Sequence, residues 1–348
     1  MAHGHPDELP RISAAPGYRA RLLVSPGRLW DPLAAVQGDG NDVWVSDDGG
    51  EFGEGQGNVY RVSTQGSVTP LATPGDMTAP IGIDRAPEGF GPYSGQVFGV
   101  SQQDTGRAGA GQNHMVVRLD PRTGIVERFA DLPLTGPEGS VANTGGVGAR
   151  FGPPESAFEG HLFTITIGNG AIQAVAPDGT AETFAVLAPP GPSQPMWLAF
   201  GTVDGEDRML VTTPNGNIYG SGGEGTVTQI APDGTVLDEP FAGGLGTPTG
   251  IDRAPADWPR HGGEYFVADL GGPIQLSPPD SGVGEYRGRV LRIDAAGAAH
   301  EVASGFLTPH GIRFVGQRLI VCDIAFDFSV GGVAEADGFV VELTPDSA

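Results

Sequence analysis

Short runs rich in valine, isoleucine, leucine and aromatic residues recur along the whole chain, separated by clusters of glycine, proline, aspartate and asparagine. Apolar runs of that length, bounded by turn residues, predict many strands joined by tight turns. The pattern repeats. Gly82-Ile83-Asp84-Arg85-Ala86-Pro87 returns 168 residues later as Gly250-Ile251-Asp252-Arg253-Ala254-Pro255, and Ala176-Pro177-Asp178-Gly179-Thr180 returns 55 residues later as Ala231-Pro232-Asp233-Gly234-Thr235. Both offsets fit one unit of about 55 residues, the size of a four-stranded propeller blade.

Six apolar second strands fall in this register: Val43-Trp44-Val45, Val97-Phe98-Gly99, Leu162-Phe163-Thr164, Met209-Leu210-Val211, Tyr265-Phe266-Val267 and Leu319-Ile320-Val321. Third strands follow them, as at Asn58–Val62, Met115–Leu119 and Val290–Ile293. The sixth unit ends after its third strand, Gly338–Leu343, while Tyr18–Val24 is a strand without a unit. Pairing those two closes a ring with no open join between the first and last blades. The expected fold is therefore all-β, a six-bladed β-propeller over residues 18–348 behind a flexible N-terminal segment, 1–17. A β-sandwich followed by a second β domain offers no reason for the period.

Composition narrows the function. Glycine (58) and proline (31) are abundant, yet 39% of the 348 residues are hydrophobic, enough for a substantial core. The net charge is −23, and all 19 basic residues are arginine. Without lysine there is no Schiff-base or phosphate-loop chemistry. The acidic surplus argues against nucleic acid or an anionic membrane as partner and leaves a small-molecule substrate. Cys322 stands alone, so no internal disulfide forms. The polar stretch Met1–Pro16 does not read as a signal peptide, which predicts a cytoplasmic protein or one exported with its signal removed.

Antiparallel pairing places the start of each first strand, the end of each second and the following loop on one face. Those loops are long: Asp48–Gly57, Gln102–Gln112, Pro214–Gly225, Leu270–Arg287 and Ile324–Asp337. First strands begin with a proline signature, as in Pro80-Ile81-Gly82-Ile83, Pro248-Thr249-Gly250-Ile251 and Pro309-His310-Gly311-Ile312. Asp31-Pro32-Leu33-Ala34 and Pro195-Met196-Trp197-Leu198 are related, and Val141-Ala142-Asn143-Thr144 is an irregular version. Leu33, Ile81, Met196, Trp197 and Thr249 are thus expected around a partly apolar pocket at the channel mouth.

Second strands end on the same face in Asp47, Ser101, Thr166, Thr213, Asp269 and Asp323. Two readings stand side by side. Asp31, Asp47, Asp269, Asp323 and Asn143 have the oxygen donors a hard cation prefers. Equally, aspartate at a strand end accepts hydrogen bonds from the next turn. Of the seven histidines only His310, at a first-strand start, and His114, before a third strand, fall on this face. His310 is the candidate general base, with Asp323 as neighbouring carboxylate and His114 as the second histidine.

The proline-led strand starts and the second strands ending in aspartate resemble the six-bladed propellers of the SMP-30/gluconolactonase-like superfamily, which includes paraoxonase-like lactonases and strictosidine synthase-like proteins. That resemblance implies a divalent metal, usually calcium, at the channel mouth, with Asp31 as the first-blade acid and Asn143 as an asparagine ligand. Where the family places further Asn or Asp ligands, this chain has Ile81, Met196 and Thr249, and Asp269 or Asp323 would have to compensate. The leading expectation is a hydrolase of a lactone or related ester, metal-assisted, with His310 or an adjacent carboxylate activating water. A metal-independent lyase, cyclase or isomerase on an apolar natural product is the second, and a ligand- or partner-binding propeller the third.

Overall fold

The apolar runs pair as the repeat requires. A computed structural model describes residues 12–49, 57–73, 77, 80–102, 114–133, 146–166, 170–187, 195–214, 224–272, 287–325 and 336–346. Blade one runs from axis to rim through Pro32–Gln37, Val43–Asp47, Asn58–Val62 and Val68–Pro70. Blade two uses Pro80–Arg85, Val97–Gln102, His114–Leu119 and Val126–Asp131, and blade three Gly146–Phe151, Leu162–Thr166, Ala171–Val175 and Ala181–Val186. Blade four comprises Leu198–Val203, Glu206–Thr213, Gly225–Ile230 and Ala242–Leu245. Blade five is Pro248–Arg253, Tyr265–Asp269, Gly288–Ile293 and Ala299–Phe306. Blade six is Pro309–Val315, Arg318–Asp323 and Gly338–Pro345, with Tyr18–Leu29 as its outer strand. The protein is an all-β, six-bladed propeller, and no helix of the described residues is long and apolar enough to cross a membrane.

Closure follows the expected pairing, with Tyr18 opposite Pro345 and Val24 opposite Val340. The strand continues further than its apolar run. Register shifts carry it past Pro26 and Gly27 to pair Leu29 with Gly338, so residues that read locally as a turn form an irregular extension. Residues 12–17 also meet the ring: Ser13 and Ala14 pair with Ser304 and Ala303 on the rim of blade five. A chain that closes blade six while clasping blade five joins two neighbouring blades through one covalent segment.

Inner strands crowd the axis. A Cβ on Gly311 of blade six would lie 2.0 Å from the Leu33 carbonyl oxygen of blade one, and one on Gly250 would lie 2.4 Å from the His310 carbonyl oxygen. Only glycine permits that approach. Four of the proline-led starts are bulged, with register shifts at Pro32/Ala34, Pro80/Ile83, Pro248/Ile251 and Pro309/Ile312, while the blade-four pairing from Leu198 runs without a shift. Bulging spends backbone pairing, and hydroxyls restore part of it between blades. Ser46 donates to the Ile81 carbonyl (2.8 Å), Thr212 to that of Thr249, and Thr249 to that of Pro309 (2.7 Å). The remaining cohesion is apolar, from side chains interleaved between adjacent blades, such as Leu23, Val45 and Ile320 between blades six and one.

Candidate functional site

The mouth of the axial channel is built from the residue after each leading proline. Leu33, Ile81, Met196 and Thr249 all take that position and are buried, with Trp197 beside Met196. Blade three departs from expectation. Asn143 lies outside the described residues, and the register makes Gly146-Val147-Gly148-Ala149 the counterpart of Pro80-Ile81-Gly82-Ile83, with a matching shift at Val147/Ala149. Val147 therefore occupies the ring position. Thr249 also needs correction as a substrate-binding residue. Its hydroxyl lies against the Ala268 carbonyl (3.1 Å) and the Pro309 carbonyl (2.7 Å), so it fastens blades five and six.

His310 is the titratable member of this ring. Its residue is 9% exposed, and Nδ1 is buried without a hydrogen-bond partner among the described residues. The ring stands edge-on to the Trp197 indole, with centroids 5.4 Å apart. Burial with no compensating acceptor pushes the imidazole pKa down to about 4, so the ring is neutral at ordinary pH. An unsatisfied buried polar atom costs about 1–3 kcal/mol, and such atoms in native proteins call for an explanation beyond packing.

The strand-end aspartates play a different part from the one a metal site requires. Asp47 accepts hydrogen bonds from the N–H groups of Trp30 (2.9 Å), Asp31 (3.1 Å) and Gly49 (3.0 Å). Asp323 accepts from Leu307 (2.8 Å), Thr308 (2.9 Å) and Ala325 (2.8 Å). Asp269 accepts from Gly246 (3.1 Å), Thr247 (2.7 Å) and Gly271 (3.0 Å), and also pairs with Arg289 (2.9 Å). In all three the donors are the two residues before the leading proline and the residue two beyond the aspartate. Proline has no N–H, so the aspartate opposite it supplies the link that the ladder cannot.

These bonds correct three expectations at once. Asp47 and Asp269 are clasps on backbone N–H groups, and Asp323 is a clasp and not a water-activating base. Burial still pushes the Asp47 carboxyl up, and it raises Asp323 to about 6 against the pull of its three N–H donors. Asp31 is half-buried and gives its N–H to Asp47, while its carbonyl accepts from Asp48. Among the described residues no group of three or more His, Cys, Asp or Glu is placed to hold a metal ion. The Asp47 and Asp269 carboxylates, expected to bind calcium, are instead engaged by backbone N–H groups and, for Asp269, by Arg289 as well. His114 pairs with Gln102 through its backbone, and its side chain lies outside the described set. The long mouth loops also lie outside it, apart from their ends. Cys322 is fully buried, and burial raises its thiol pKa far above the ordinary value, as an inert packing thiol requires.

At the other end of the channel stands a cluster that pattern reading missed. The residues opposite the middle of each second strand are Val36, Asp84, Arg150, Ala199, Asp252 and Arg313, in blade order. Arg313 bonds Asp84 at 2.9 Å and lies 3.9 Å from Asp252, which also pairs with Arg150. Asp84 accepts from the Phe151 N–H (2.8 Å) and Asp252 from the Phe314 N–H (2.7 Å). Burial pushes both carboxyls up, opposed by Arg150. Like charges face each other across the axis and unlike charges alternate, so the far end is sealed by an ionic network. The signal was present: the repeated Ile-Asp-Arg segments lie three blades apart, and three of six blades is halfway round.

The comparisons agree with the fold. No family profile and no curated protein matches the sequence. Among solved structures, a putative gluconolactonase is 16% identical with a TM-score of 0.56 over 96% of each chain. Regucalcin from Agrobacterium tumefaciens, described as calcium-binding, is 16% identical with a TM-score of 0.54 over 94% of each chain. Virginiamycin B lyase from Staphylococcus aureus, solved with quinupristin in a catalytically inactive histidine-to-alanine form, is 14% identical with a TM-score of 0.52, covering 94% of this chain and 100% of that one. The chain shares the propeller fold with these proteins.

Proposed function

We propose that the protein is an enzyme that opens an ester or lactone bound at the mouth of the axial channel, with the neutral imidazole of His310 as its base. The observation that carries this reading is the buried Nδ1, which meets no hydrogen-bond partner among the described residues and belongs to a ring standing beside the Trp197 indole. An imidazole kept neutral by its surroundings is ready to accept a proton, and the apolar ring strengthens any charge interaction made beside it. Lactonase-type and lyase propellers among the structural neighbours support an enzyme of this kind. The divalent cation implied by the family resemblance has no donor set among the described residues, so no step is assigned to it.

In hydrolysis, His310 takes a proton from water as the water oxygen attacks the carbonyl carbon. The tetrahedral intermediate then collapses, the bond from acyl carbon to alkoxy oxygen breaks, and the imidazolium returns its proton to the departing alkoxide. A lactone thereby becomes a hydroxy acid. A second reading uses the same base differently. His310 removes a proton from carbon next to a carbonyl, the carbon–oxygen bond on the adjacent carbon breaks, and the products are an alkene and a carboxylic acid. The apolar lining and the lyase neighbour favour it, since such a substrate needs burial more than a water path.

A panel of lactones and esters, run in water enriched in heavy oxygen, tests both readings. Hydrolysis places the label in the product acid, and elimination yields an unlabelled alkene. Turnover that survives His310→Ala overturns the assignment of the base. No turnover of any substrate leaves the binding propeller as the surviving reading.

A further inference from the structure

The two copies of the Gly-Ile-Asp-Arg-Ala-Pro segment treat their arginines differently. Arg85 gives Nε to the Gly95 carbonyl (3.2 Å), one terminal nitrogen to the Gly38 carbonyl (3.2 Å) and the other to the Asp39 carboxylate (3.1 Å). Its guanidinium is also covered by Trp44, 4.8 Å from the ring centroid. Arg253 repeats the first contact, with Nε on the Gly263 carbonyl at 3.0 Å. Its terminal nitrogens meet no acceptor among the described residues, and its aromatic neighbour, Tyr265, is further away at 5.8 Å. Blade one supplies Gly38 and Asp39 to Arg85. Blade four supplies no carboxylate to the Arg253 guanidinium, which instead lines a concavity on the face opposite the channel mouth.

That concavity, of about 210 Å³, has apolar walls from Pro153, Pro154, Phe158 and Phe200. Its floor is Gly201, where a Cβ would lie 1.9 Å from the Tyr265 hydroxyl. The hydroxyl is itself buried and has no hydrogen-bond partner among the described residues, so the polar groups below the concavity are under-used. A half-buried guanidinium with most of its five donors unspent is the side chain best shaped for a carboxylate. The rim limits the charge of the guest. Glu155 and Asp207 stand beside the concavity, and Asp207 spends one oxygen on the Ala157 N–H at 2.9 Å. Two nearby carboxylates on a chain of net charge −23 disfavour a second negative charge on a ligand.

We propose that this concavity between blades three, four and five binds a small organic monocarboxylate with an apolar body, its carboxylate on Arg253 in the place that Asp39 holds beside Arg85. The hydrocarbon part lies against Phe158, Phe200 and the two prolines. The volume is below the usual range for drug-sized ligands, which restricts the guest to about the size of benzoate. The site is separate from His310 and stands whether or not the mouth catalyses ester opening.

Sodium benzoate and its neutral analogue benzamide are the probes, titrated by calorimetry or NMR. Saturable benzoate binding is expected with a Kd of about a millimolar, given the small size of the ligand. Benzamide should bind more weakly, and Arg253→Gln should weaken benzoate by about tenfold or more. Arg85→Gln, whose arginine is already occupied, should leave benzoate affinity unchanged. Circular dichroism checks folding, and Thr202→Trp, which fills the concavity from an exposed position, must also block binding. Benzoate that fails to saturate the wild-type protein, or that binds equally well to the Arg253→Gln or Thr202→Trp variant, overturns the proposal.

Discussion

The imidazole of His310 meets the indole of Trp197 edge-on at 5.4 Å, although the two residues belong to blades six and four. Blade five stands between them and contributes Thr249, whose short side chain is turned aside into an inter-blade bond. Side chains from non-adjacent blades therefore meet at the channel mouth. That convergence buries His310 and removes the water that would otherwise solvate its charged form.

If His310 is the base, His310→Ala lowers kcat/KM by about 10²–10⁴ while the fold persists. The acidic limb of the wild-type pH–rate profile then falls below the ordinary histidine range, toward the pKa of about 4 that burial imposes. Steady-state kinetics across pH, with circular dichroism on the variant, make the check.

Stability should also depend on pH with opposite signs at two sites. His310 titrates near 4 when folded against an ordinary 6.5, so its contribution is full above the ordinary value and is lost as pH falls toward the folded one. Asp323 titrates near 6 against 3.8, so its contribution is full below the ordinary value and is lost as pH rises through about 6. Relative to wild type, His310→Gln gains stability as pH falls from about 7 to about 4, by up to about 3 kcal/mol. Asp323→Asn gains relative to wild type as pH rises over the same interval. Urea denaturation at several pH values reads both slopes.

The clasp role of the strand-end aspartates has its own signature. Asp269→Ala strands three N–H groups and one arginine, which should destabilise by at least about 3 kcal/mol. Its loss of Tm should be the same with and without added calcium. A loss seen only in the presence of calcium would instead mark Asp269 as a ligand.

The ionic seal at the far end of the channel predicts strong coupling. Arg313→Met leaves Asp84 and Asp252 short of a partner and should cost about 3–5 kcal/mol. Combining it with Asp84→Asn should recover part of that, for a coupling above about 1 kcal/mol in a double-mutant cycle. Additive losses would show that the two side chains act independently.

The sequence by itself determined the ring. Second strands such as Leu319–Val321, the repeated Asp-Gly turns and the pairing of Tyr18–Val24 with Phe339–Leu343 are local or periodic facts, and periodicity survives translation into a closed sheet array. It also placed His310, because strand order alone assigns a first-strand start to the channel mouth. Tertiary structure decided what each polar side chain does there. For Asp47, Asp269 and Asp323 the sequence left two readings, cation ligand or acceptor for the next turn, and only the bulge at each proline shows that the two residues before it also give their N–H groups to the aspartate. Asp84, Arg150, Asp252 and Arg313 lie far apart in sequence and meet only because three blades carry the chain halfway round the axis. The same closure leaves Arg253 open where its repeat partner Arg85 is filled, since each arginine meets whatever the preceding blade happens to present.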